Sequence, residues 1–111
     1  MAEPPIDLLK ALAHPLRYAI LAALAESERN VGEIEGATGI GQPTLSQHLS
    51  VLRGAGLVET RREARLVYYR NAAPALAEAL RALSTLMPET HTLAANPQGS
   101  LTGAAVFARM V

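Results

Sequence analysis

VGEIEGATGIGQPTLSQHLSVLRGAGLVETRREARLVYYR, residues Val31 to Arg70, decides the reading of this chain. A short helical pattern, a Gly-punctuated turn, a second helix with a polar face and a basic β-prone segment follow one another with almost no linker. Val31 to Thr38 read as a helix with Ile34 turned inward. Asn30 is suited to cap its start, and Gly39 to stop it in the left-handed conformation. Pro43 suits the first turn of the next helix, which is expected to run to about Arg53 and to end at Gly54 and Gly56. Leu57-Val58 and Leu66-Val67-Tyr68-Tyr69 flank Arg61-Arg62-Glu63-Ala64-Arg65, the pattern of a β-hairpin with a basic tip.

At about 100° per residue, Leu45, Leu49 and Leu52 gather on one side of the second helix and must face a core. Pro43, Gln47 and Ser50 point the opposite way, with Thr44, Ser46 and Val51 on the flanks. That face is polar and uncharged. Such side chains hydrogen-bond base edges while the helix lies deep in a major groove, and a Gln pairs bidentately with adenine. The helix N-terminus, with free N–H groups and the positive end of the dipole, favours phosphate. Taken alone, the face is better read as an ordinary solvated helix, since polar helix faces are common. The hairpin downstream shifts the balance, because Arg61, Arg62 and Arg65 suit phosphate contacts or minor-groove insertion. The nucleic-acid candidates are therefore Gln42, Pro43, Thr44, Ser46, Gln47, His48, Ser50, Arg53, Arg61, Arg62 and Arg65. His48 sits about 60° from the apolar centre, so its expected role is a partly buried, hydrogen-bonded residue.

Outward from this run, Ile6, Leu8, Leu9 and Leu12 have helical spacing behind Pro4 and Pro5 and predict a helix over roughly residues 5–13. His14-Pro15 breaks it, and Pro15 opens a helix with Leu16, Ile20, Leu21 and Leu24 as its buried stripe, ending near Glu26. Ser27 to Asn30 read as a polar connection. Pro74 opens a last helix carrying Leu76, Leu80, Leu83 and Met87. Residues 88–100 have a linker-like composition, and Leu101 to Val111 are apolar without clear caps. The expected division is a folded domain over 1–88 and a tail over 89–111 that folds back, pairs with a partner or is loose.

Composition narrows the classes. A chain of 111 residues, 50% hydrophobic and 18% charged, is a folded single domain whose modest core would gain from dimerisation. Net charge is zero, but its distribution is uneven. Residues 1–41 carry three basic against six acidic side chains, and residues 42–70 carry five against two. Positive charge thus collects on the segment aimed at a polyanion. Cysteine is absent, which removes disulfides, thiolate ligands and redox thiols. The N-terminus lacks the pattern of a signal peptide and the apolar runs fall short of a membrane span, so the expected compartment is the cytoplasm, with no membrane partner.

LKALAHPLRYAILAAL, then TLSQHLSVLRGAGLVETRREARLVYYR, then a leucine-rich helix, together make residues 9–87 resemble the ArsR/SmtB family of bacterial winged-helix repressors. GIGQPTLSQHLSVLRGAGLVETRR is most similar to the subgroup of sulfide- and persulfide-responsive biofilm regulators. The resemblance implies a mainly α fold with a small β-hairpin, a winged helix-turn-helix of four helices, hairpin and fifth helix. It implies a homodimer on a palindromic double-stranded DNA operator, with repression relieved by an inducer. It places the dimer interface on the first and last helices, here Leu8, Leu9, Leu12, Leu76, Leu80, Leu83 and Met87. His14 falls in the family's Ala-His-Pro corner, where it has a structural role.

The chain departs from the family at its input side. The positions of the family's thiolate metal pair hold Asn30 and Gly32, and those of the subgroup's sensing cysteines hold Ala23 and Pro88. Neither thiol chemistry nor a soft-metal site is possible there. Glu78, Glu89 and His91 are too few for a metal site without a second chain, so no metal or cofactor is expected. Ala64 stands where the family often has Gly in the wing turn, which implies a different turn or mild strain. The remaining triggers are a small organic ligand between helices, a partner protein, or control by expression level alone. Two other readings compete with a repressor. One is a winged-helix interaction module that uses its apolar tail and binds DNA weakly or not at all. The other is an enzyme, disfavoured because no Ser/His/Asp set, HExxH or phosphate loop appears.

Overall fold

Prolines and polar caps set the helix boundaries. The computed structural model describes residues 3–88, so the expectations for Glu89, His91 and the tail Leu101 to Val111 lie outside the described residues. Helix α1 spans Ile6–Leu12 and α2 Pro15–Glu26, with 85° between them. Pro15 occupies the first turn of α2, where its missing N–H costs nothing, and His14 Nδ1 accepts from the Leu16 N–H at 3.1 Å. Helix α3 spans Val31–Thr38 behind a reciprocal capping box: Asn30 Oδ1 accepts from the Glu33 N–H, and the Glu33 carboxylate accepts from the Asn30 N–H. Gly39 closes α3 at φ 76°. Helix α4 spans Thr44–Gly54, so Pro43 precedes the first turn rather than forming it, and Gly54 lies inside the helix. Gly56, at φ 79°, makes the stop.

The hairpin is part of a larger sheet. Strand β1 is Arg29–Asn30, β2 is Val58–Glu63 and β3 is Leu66–Asn71, in the order β1-β3-β2, all antiparallel. The polar connection expected over Ser27 to Asn30 therefore ends in a strand, because Arg29 and Asn30 pair with Tyr69 and Tyr68. Asn71 Nδ2 donates to the Leu21 carbonyl at 2.9 Å, fixing the end of β3 to α2. Helix α5 spans Ala73–Ser84, so Met87 lies beyond it rather than on it: the chain closes in hydrogen-bonded turns through Thr85, Leu86 and Met87. No single helix among the described residues is long and apolar enough to cross a membrane.

Backbone contacts divide the chain into two units, 1–80 and 81–111. The core of the first is built from Leu8, Ala11, Ile20, Leu21, Leu24, Ile34, Leu45, Leu49, Leu52, Leu57 and Val58. Ile20, Ile34, Leu45, Leu52 and Leu57 are fully enclosed. At roughly 1.5–3 kcal/mol per buried aliphatic side chain, these contacts fix α4 against α1, α2 and β2. In the second unit only residues 81–88 are described; Leu83 and Leu86 are exposed there.

Leu45→Ala should lower unfolding free energy by about 2–5 kcal/mol, since Leu45 is fully enclosed and its truncation leaves a cavity. Asn30→Ala should cost about 0.5–2 kcal/mol through loss of the cap. Urea titration followed by circular dichroism measures both; a Leu45→Ala loss under about 0.5 kcal/mol would contradict the packing.

Candidate nucleic-acid interface

Helix α4 is held from one side only. Leu45, Leu49 and Leu52 are 0, 2 and 0% exposed, so its other face is presented outward. Gln42, Pro43, Thr44, Ser46, Gln47, Ser50 and Arg53 are all exposed. The Ser46 hydroxyl donates to Gln42 Oε1, which orders the start of the helix. Among the described residues, no hydrogen bond engages the side chains of Gln47, Ser50 or Arg53. Val51, 44% exposed, adds an apolar flank of the kind that packs on a thymine methyl.

His48 takes another place. It is half-buried, its Nδ1 lies 3.2 Å from Arg17 Nη1, and its ring stands 4.6 Å from that of His14. Because guanidinium only donates, His48 Nδ1 accepts and the ring is neutral. Burial, then His14, then Arg17 hold its pKa below the usual histidine range. Its partners are inside the chain, matching the expectation of a partly buried, hydrogen-bonded residue.

The arginines of the hairpin divide. Arg61 and Arg62 lie in β2 rather than at the tip, and as neighbours in a strand they face opposite sides. Arg61 Nε and Nη2 donate to the Glu28 carboxylate at 2.8–3.0 Å, and Nη1 donates to Glu63 at 2.9 Å. Its guanidinium also stacks 4.8 Å from the ring centre of Tyr68, its cross-strand partner. These ties engage Arg61, whose side chain stays about half exposed, with the chain's own acids. They hold β2 to the α2–β1 connection and keep Arg61 charged well above the ordinary arginine range. Arg62 and Arg65 are exposed, and among the described residues neither has a side-chain partner. Ala64 turns the hairpin at φ 58°, a left-handed conformation that a non-glycine residue adopts at a cost.

The expected dimer residues are also split. Leu8 is taken up by the chain's own core at 8% exposure, while Leu9, Leu12 and Leu76 pack partly against that core. Leu80 is 57% exposed and Leu83 51%. Among the described residues no three His, Asp or Glu side chains come together as a metal site would.

The residues that sequence reasoning missed are Glu28 and Arg17. Both act across long sequence separations, with Arg61 and His48, and no local periodicity marks such pairs.

Comparison with known proteins agrees with this geometry. Residues 14–60 match the model described as bacterial regulatory protein, arsR family. The Biofilm growth-associated repressor of Xylella fastidiosa is 49% identical over 85 residues, covering 77% of this chain and 75% of that protein. The crystal structure of the transcriptional repressor BigR from Xylella fastidiosa superposes with a TM-score of 0.60 at 44% identity, over 76% of this chain and 87% of that one. The homodimeric winged helix-turn-helix DNA-binding domain Mb0332 from Mycobacterium bovis gives 0.61 at 41% identity, over 72% and 76%.

The Arg61 hydrogen bonds hold Glu28 below its ordinary carboxylate value of 4.5. A lowered carboxylate pKa means that the stability carried by this pair is complete above the ordinary value and lost as pH falls through the lowered one. Carboxyl NMR titration should find Glu28 below 4.5 in the wild type, and shifted upward towards 4.5 in Arg61→Met. A wild-type midpoint at or above 4.5 contradicts the pairing.

Proposed function

This chain belongs to the arsR family of bacterial regulatory proteins, and on that footing we propose that it is a homodimeric transcriptional repressor that binds a palindromic DNA operator. One observation carries the reading: α4 is clamped by three buried leucines and turns an open polar face to solvent, directly before a hairpin whose Arg62 and Arg65 have no side-chain partner among the described residues. Gln47 and Ser50 read base edges, with Thr44, Ser46, Gln42 and Pro43 at the groove's entrance. Arg53, Arg62 and Arg65 hold phosphates. Arg61 braces the wing from behind. The named roles of its relatives as repressors make a regulator the better reading than an enzyme.

Dimerisation is assigned to α1 and α5. Leu9, Leu12 and Leu76 retain partial exposure, and Ile6 and Leu80 are about half exposed, more apolar surface than a lone domain needs to show. Leu83 and Met87 extend the assignment into the second unit on the strength of the sequence pattern. With no cysteine in the chain, control runs through a small organic ligand, a partner protein or expression level alone, rather than a thiol reagent or a soft metal.

DNA selected from a random pool by the protein itself supplies the operator for anisotropy titrations. Three free arginines per protomer give six phosphate contacts per dimer, so affinity should fall on the order of 10³-fold between 50 and 200 mM salt. Arg65→Ala should weaken all duplexes alike and reduce the salt slope by about 2 per dimer. Gln47→Ala should cost about 1–3 kcal/mol at one base pair per half-site and relax preference there. Affinity that stays flat with salt would sink the proposal.

A further inference from the structure

Helix α1 is seven residues long and ends without a Gly cap, which leaves four carbonyls to satisfy. The Leu9 carbonyl accepts from the Ala13 N–H at 3.0 Å and that of Leu12 from the His14 N–H at 2.9 Å. The other two are met by one side chain of α2: Arg17 Nε donates to the Ala11 carbonyl at 2.6 Å, and Nη2 points at the Lys10 carbonyl at 3.4 Å. The remaining arm, Nη1, donates to His48 Nδ1 on α4. One guanidinium thus joins the end of α1, its own helix α2 and the helix proposed to read DNA.

We propose that Arg17 is a positioning residue for DNA reading, joining α1 to α4 through His48, and that the joint holds only while His48 is neutral. The inference rests on the repressor reading and deepens it. His48 follows Gln47 directly and lies one turn before Val51 and Leu52, so a shift of its side chain moves the exposed face of α4. Protonation at Nδ1 removes the acceptor and sets a cation against Arg17. The groups facing the ring are Arg17 from α2 and His14 at its N-cap; α1 supplies only the backbone carbonyls of Lys10 and Ala11 to the cluster. Among the described residues no carboxylate enters the cluster to offset the new charge. The ring's pKa is lowered, so the neutral, joined state is complete above the ordinary histidine value of 6.5 and is lost only as pH falls through the lowered one.

The sign of the pH effect separates this from a simple phosphate contact. A histidine that touched phosphate would bind DNA more tightly when protonated. A positioning joint binds less tightly, because the proton breaks it.

The test uses the full chain as wild type, His48→Asn and Arg17→Met, with anisotropy on the selected duplex at pH 8.0 and 5.5. Asn places a carbonyl near Nδ1 and does not titrate. Wild-type Kd should rise on acidification on the order of tenfold more than that of His48→Asn, and Arg17→Met should bind about tenfold more weakly than wild type at pH 8.0. In the free protein, the amide signals of residues 10–13 should move with the His48 titration in wild type and stay still in Arg17→Met. Should Arg17→Met not fold, the wild-type comparison with His48→Asn decides alone. Wild-type binding that tightens on acidification as much as that of His48→Asn, or still amides at residues 10–13, overturns the joint and leaves the repressor reading standing. Absence of wild-type DNA binding at pH 8.0 overturns the repressor reading and the inference with it.

Discussion

Burial of Leu45, Leu49 and Leu52 is the constraint on which the rest depends. Helix α4 spans only eleven residues, too few to be stable in isolation, so its existence follows from packing. The three leucines fix both its axis and its rotation, because turning the helix would bring polar Gln47 or Ser50 into the core. A rigid apolar side and a free polar side are one decision read from two directions. The same clamp sets the level at which β2 leaves the core through Leu57 and Val58 and therefore where the arginines stand.

Around that clamp the polar side chains work as fasteners. Asn30 and Glu33 close the start of α3, Arg29 donates to the Ala23 carbonyl near the end of α2, and Arg17 closes the end of α1. Arg61 ties the wing to Glu28. Of the arginines in the basic segment, Arg61 and Arg70 are engaged by Glu28, Glu63 and Glu59, while Arg53, Arg62 and Arg65 have no side-chain partner among the described residues. Local charge counting overstated the free positive surface, since ion pairs across the fold cancel part of it. An exposed pair of this kind adds little to stability, and its value lies in holding a direction.

Legibility in the sequence followed the range of the interaction. The bounds of α2 and α3 could be read because Pro15, Asn30 and Gly39 act within a few residues of where they stand. The leucine stripe of α4 could be read because periodicity is local. Strand β1 could not: two residues carry no pattern, and their pairing with Tyr68 and Tyr69 spans some forty positions. The pairing of Arg61 with Glu28 and the Arg17–His48 contact escaped for the same reason. The surface proposed to face DNA could thus be outlined from residues 42–65, while what supports it from behind could not.

Mapping amide chemical shifts on addition of a random-sequence duplex at low salt tests the central claim, that the open face of α4 and the hairpin form the DNA surface. Perturbations should centre on residues 42–53 and 61–66. Signals that stay fixed there while those of α1 and α5 move would contradict it.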